Sequence, residues 1–104
     1  MTASYELTHE SLPDALVVRA SGKFDRAAGE AVEALLGAHS GSVVLNLADV
    51  AYLSSTGIAF LARLTAARGL RVAAASATVR ATLSLAGIDK MLALYPDEGS
   101  ARRG

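Results

Sequence analysis

Apolar and polar positions alternate through Tyr5, Leu7 and His9, the two-residue period of a strand with one buried face. Leu12-Pro13-Asp14 supplies turn chemistry and the strand pattern resumes from Ala15 to Ala20, so the chain is predicted to open with an antiparallel pair. Beyond Ser21-Gly22-Lys23-Phe24 the period lengthens. Ala28, Val32, Leu35 and Leu36 fall on one face of a helix that Asp25 can cap and Gly37 can end. Ser42 to Leu47 reads as a central strand, followed by a short crossing segment. A second helix is predicted from Ser55 or Thr56 to Arg68. It carries Gly57, Leu61, Leu64 and Arg68 on one side, and a bare face of Ala59, Ala62 and Ala66 roughly opposite, with Arg63 near them.

Gly69 stops that helix and Leu70 to Ala75 reads as a strand. Ser76 caps a third helix through Val79, Leu83 and Ala86, and Gly87 ends it. A last strand is predicted from Lys90 to Tyr95, and Pro96 to Gly104 is expected to form at most one helical turn before fraying. Strands alternating with helices after an opening hairpin define an α/β class, with parallel crossovers on a mixed sheet of four to five strands covered by three to four helices. At 104 residues the expectation is one domain over 1–104, with no repeat or linker.

Charge narrows the function classes. Ten basic and ten acidic side chains cancel, leaving no broad field to draw nucleic acid or anionic lipid, so neither is an expected partner. There is no cysteine, and His9 and His39 stand thirty residues apart without a third ligand, which argues against a metal and leaves both as surface histidines. No cofactor is expected, because neither the Gly-x-Gly-x-x-Gly nor the P-loop pattern occurs. The first ten residues lack the basic start and apolar run of a secretory signal, and Arg63, Arg68, Arg71 and Arg80 interrupt the apolar stretches, so a cytoplasmic protein without membrane insertion is expected.

The chemistry concentrates at Ser54-Ser55-Thr56-Gly57, three hydroxyls where the second helix begins. The first amides of a helix have no carbonyl partners and the dipole is positive there, so a phosphate on one of these hydroxyls would be stabilised by the backbone. The same residues suit simple helix capping. Gly57 avoids a clash where the helix starts close to a strand, and Asp25 is a good cap in its own right. A serine hydrolase is not supported: there is no Gly-x-Ser-x-Gly elbow, and no histidine follows the hydroxyl cluster.

Three segments together resemble the STAS domain family, and within it the bacterial anti-sigma factor antagonists (anti-anti-sigma factors). They are Ser21-Gly22-Lys23-Phe24-Asp25, the run from Val43 through Asp49-Val50 to Leu53-Ser54-Ser55-Thr56-Gly57-Ile58, and Leu85-Ala86-Gly87-Ile88. In that family the central motif looks like Asp-Ser-Ser/Thr-Gly-Leu, and the Ser after the Asp accepts phosphate from an anti-sigma factor that is a serine kinase. The resemblance implies a single STAS domain that is not an enzyme, with Ser55 as phosphoacceptor and Thr56 as the alternative. Asp25, Ser54, Ser55, Thr56, Gly57 and Ile58 form the implied partner surface.

This chain has Ser54 where the motif has Asp, which replaces a carboxylate by a neutral hydroxyl. The implied partners are an anti-sigma factor/serine kinase and a serine phosphatase, acting on a monomer or weak homodimer in partner switching that controls transcription. The alternative is a constitutive STAS subunit of a lipid-transport (ABC transporter) or scaffold complex without phosphoregulation. Family members usually carry a further C-terminal helix, so one side of the sheet or an adjacent helix is expected to be less covered here, with room for an additional partner surface or a self-association contact.

Overall fold

In a computed structural model, which describes residues 4–104, the chain forms strands β1 (Tyr5–Ser11), β2 (Leu16–Phe24), β3 (Val43–Leu53), β4 (Arg71–Ala73) and β5 (Ala93–Tyr95), with helices α1 (Arg26–Gly37), α2 (Ser55–Arg68), α3 (Ala77–Leu85) and α4 (Glu98–Arg103). The strands make one sheet in the order β1-β2-β3-β4-β5. β1 is antiparallel to β2, and the remaining pairs are parallel. The expected mixed α/β architecture is therefore present, with five strands and four helices. The start of the segment read for a secretory signal, residues 1–3, lies outside the described residues.

Alternation along the strands divides the interior in two. Leu16, Val18 and Ala20 of β2, with Val43, Leu45 and Leu47 of β3, pack against Val32 and Leu36 of α1, Leu61 and Leu64 of α2, and Val79 and Leu83 of α3. Val17, Val44 and Ala73 point the other way, onto Ala101 of α4. Three helices thus cover one face and a short one covers the other.

Local chemistry sets the helix ends. Asp25 Oδ1 accepts from the Ala28 amide at 3.2 Å, Ser54 Oγ from Gly57 at 3.0 Å and Ser76 Oγ from Val79 at 3.2 Å. Each satisfies one orphan amide of a first turn. Gly69 ends α2 at φ 63°, a left-handed conformation that costs glycine nothing. Arg68 of α2 closes the other end of α1: its guanidinium donates to the carbonyls of Leu36 and His39 at 2.6 and 2.5 Å. Phe60 is buried against Gly29 of α1, where a Cβ would lie 2.5 Å from the ring, so this glycine permits the close packing of α1 on α2.

Several boundaries differ from the sequence reading. Ser21 to Phe24 continues β2 instead of following it, and the supposed crossing segment after Leu47 is strand as far as Leu53. Register shifts between Arg19 and Ser21 and between Gly22 and Lys23 break the two-residue period, which hides these extensions in the sequence. The strand expected over 70–75 spans Arg71–Ala73, and part of that expected over 90–95 is a 3-10 turn, Asp89–Met91, leaving Ala93–Tyr95 as β5. Ala86 lies just past α3.

The tail does not fray after one turn. α4 docks through Ala101, which is fully buried, and Glu98 accepts from Arg19 Nε at 2.8 Å and Asn46 Nδ2 at 2.7 Å. Arg102 pairs with Asp14 at 3.0 Å, and Arg71 donates to the Ala101 carbonyl at 3.2 Å. The reverse face, expected to be less covered at the C-terminus, is therefore partly covered by α4.

Candidate functional site at the start of α2

β3 delivers the hydroxyl cluster to the carboxyl end of the sheet, beside the end of β2. The Ser54 amide donates to the Phe24 carbonyl at 3.0 Å, so the β3–α2 junction is fixed against the β2–α1 junction that carries Asp25. Gly57 is buried at the same crossing, and a Cβ there would collide with the Phe24 carbonyl oxygen. No residue with a side chain fits without moving one of the two loops. Asp25, Ser54, Ser55, Thr56 and Gly57 are thereby brought together.

The three hydroxyls occupy different environments. Ser54 is half-buried and its Oγ is committed to the α2 cap. Ser55 and Thr56 are exposed, with no hydrogen bond to either hydroxyl among the described residues. Their amides also lack acceptors among the described residues, while those of Gly57 and Ile58 are taken by Ser54 Oγ and the Ser54 carbonyl. An exposed alcohol therefore sits beside two free N–H groups at the positive end of a fourteen-residue helix whose first turn holds no acidic side chain.

Asp25 is half-buried and holds its own helix cap, so part of its accepting capacity is already used. Ile58 is half-buried and packs against the main core, with a part of its side chain open to solvent. The alanine face is open at Ala59 and Ala66 and partly covered at Ala62. Arg63 beside it stacks 4.5 Å from the Phe60 ring centroid and pairs with Glu33 at 2.9 Å, which places its charge on the α1 side.

The sequence reading did not single out Phe24, whose carbonyl organises the site, or the pair next to it on the reverse face. Lys23 and Tyr52 are cross-strand partners, with the ammonium 5.6 Å from the ring centroid and Tyr52 55% exposed. An aromatic among small residues just before the hydroxyls was the available signal. His9 and His39, read as separate surface residues, both border a groove of about 760 Å³ between β1 and α1, where His9 is exposed and His39 half-buried. No cluster of three or more potential metal ligands occurs among the described residues, and no described helix is long and apolar enough to cross a membrane.

The architecture is that of a small α/β domain, with a capped helix entrance presented at the end of its central strand. The chain belongs to the STAS domain family: the family model described as "Mlab, STAS domain" matches residues 7–94. No curated protein matches the sequence significantly.

Among solved structures, an anti-sigma factor antagonist from Mycobacterium paratuberculosis is 30% identical, with 94% of this chain and 91% of that one covered and a TM-score of 0.80. The anti-sigma factor antagonist SpoIIAA in its unphosphorylated form is 17% identical, with 94% and 95% covered and a TM-score of 0.71. The phosphorylated form of SpoIIAA, from Bacillus, is 19% identical over 94% and 98%, with a TM-score of 0.62. A sulfate transporter family protein from Wolinella succinogenes is 14% identical over 88% and 84%, with a TM-score of 0.73. The last three likenesses are likenesses of fold.

Proposed function

We propose that this STAS domain is an anti-sigma factor antagonist, a protein-binding module that docks on an anti-sigma factor/serine kinase and is switched by phosphorylation of Ser55. The observation that carries the reading is the exposed Ser55 hydroxyl beside the free amides of Ser55 and Thr56, with capping assigned to Ser54. The neighbour of known type at 30% identity supports the class of partner.

Unphosphorylated, the surface formed by Asp25, Ser54, Ser55, Thr56 and Ile58, with Gly57 buried beneath it as the close-approach position, meets the anti-sigma factor and frees the sigma factor. Phosphorylation of Ser55 adds about 1.5 to 2 negative charges at neutral pH. The two free amides hold that charge in place, and burying it against the partner then costs desolvation and repulsion. About 1.4 kcal/mol changes affinity tenfold, so no refolding is required. A serine phosphatase resets the switch.

Ser54 is compatible with this scheme, because a serine caps a helix about as well as the Asp of the family motif. Its neutrality removes the carboxylate that would otherwise flank the acceptor. The description of the matching family model and the transporter-type neighbour favour a second reading, a constitutive subunit of a transport or scaffold complex in which Ser55 is never modified.

Incubation with the anti-sigma kinase and ATP, followed by intact-mass measurement and site mapping, separates the two. One added phosphate on Ser55, lost in Ser55→Ala, supports the switch. An unmodified mass together with stable association to a transporter ATPase supports the subunit.

A further inference from the structure

β3 runs for eleven residues and β4 for three, and the two pair only where Val44 to Asn46 face Arg71 to Ala73. β4 ends at Ala73, and Ala74 after it takes φ 60° and donates its amide to the Tyr95 carbonyl at 3.0 Å. A left-handed alanine costs about 1–2 kcal/mol, and backbone strain of this kind concentrates where function requires it.

β3 continues past this point without β4. From Leu47 to Leu53 that strand has β2 on one side and no strand on the other. Among the described residues no backbone bond reaches the open edge, and the Ala48 amide is satisfied by the Asn46 side chain at 2.8 Å. Ala48, Asp49, Ala51 and Tyr52 are all exposed along it. The slot is about 20 Å long at strand spacing, and its far end is Ser54.

We infer that this open edge receives an extended segment of the same protein that docks at Ser55, as an added strand; the inference rests on the docking function proposed above. Unpaired N–H and C=O groups at strand spacing are complemented by another extended main chain. Ala48 and Ala51 are small enough to let that chain approach, and Tyr52, steadied by Lys23, offers an aromatic anchor. Asp49 is the acidic group on an otherwise uncharged stretch of edge, so the complementary segment carries a Lys or Arg facing it. Pairing of two copies of this chain along the edge would set their Asp49 carboxylates close together, which disfavours a self-complex. Strand addition would give the partner a register along β3 that ends at the acceptor hydroxyl.

Hydrogen exchange read by mass spectrometry tests this on the full chain, alone and with the purified anti-sigma kinase of the same organism. Those amides within 49–53 that face away from β2 are expected to slow by about tenfold or more in the complex, and Asp49→Lys to weaken binding by about tenfold, with Asp49→Asn intermediate. Both variants should keep the melting temperature of the parent chain, which separates a binding defect from a folding one. Kinase binding that depends on Ser55 but leaves those amides unprotected would overturn strand addition and leave the docking function standing. If the kinase does not bind at all, the docking function fails and the added strand fails with it.

Discussion

Ser54 and Ser55 are adjacent in sequence and opposite in role: the Oγ of Ser54 is held by the Gly57 amide at 3.0 Å, while the hydroxyl of Ser55 is exposed and unbonded. Ser54→Ala should therefore cost about 1 kcal/mol of stability through the lost cap. Ser55→Ala should stay within about 0.5 kcal/mol. Urea unfolding of both variants checks the contrast, and equal losses would place the cap on the wrong residue.

The carbonyl of Phe24 leaves no room for a Cβ on Gly57. Gly57→Ala is expected to destabilise by about 1–3 kcal/mol through overpacking and, by prising apart the two loops, to weaken partner binding. Thermal unfolding and a binding assay on the same sample measure both effects.

How much of this was legible in the sequence depends on the range of the forces involved. The caps at Asp25 and Ser76 and the stop at Gly69 act within one turn, so each could be read locally. The extension of β3 to Leu53 was not legible, because the shifts opposite Ser21 and Lys23 interrupt the alternation that marks a strand. α4 was underestimated for another reason: six residues, four of them polar, with one buried alanine have no helical signature of their own. What holds them is Asp14, Arg19, Asn46 and Arg71, far away in the chain. At the candidate site, residue types pointed to the segment but could not divide capping from exposure among three hydroxyls; that division needed the geometry of the first turn.

The docking of α4 predicts a pH dependence. The Arg19 guanidinium, donating to Glu98, and the Asn46 amide hold the Glu98 carboxyl below its ordinary value of 4.5, against the opposing effect of partial burial. A carboxylate with a depressed pKa in the folded state contributes stability that is present above the unfolded pKa and is lost as pH falls through the folded one. Stability should thus decline as pH drops below 4.5. Glu98→Gln should lose about 1 kcal/mol at neutral pH, the figure being reduced for solvent screening of a half-exposed partner. Its acid decline should also be shallower, as followed by denaturant midpoints across the pH range.

Ala74 carries its strain in the folded state. Replacing it with glycine removes the left-handed penalty but adds unfolded-state entropy, so Ala74→Gly should stabilise by up to about 1 kcal/mol. The variant should keep the open edge of β3. A melting temperature at or below that of the parent would show that the conformation is not strained.

The central claim is that charge on Ser55 decides whether the partner adheres. The most direct measurement is the affinity of the anti-sigma kinase for the unmodified protein, for Ser55→Ala, and for the protein phosphorylated on Ser55, titrated under the same salt conditions. The account predicts similar binding for the first two and at least about tenfold weaker binding for the third. Equal affinity for all three would contradict it.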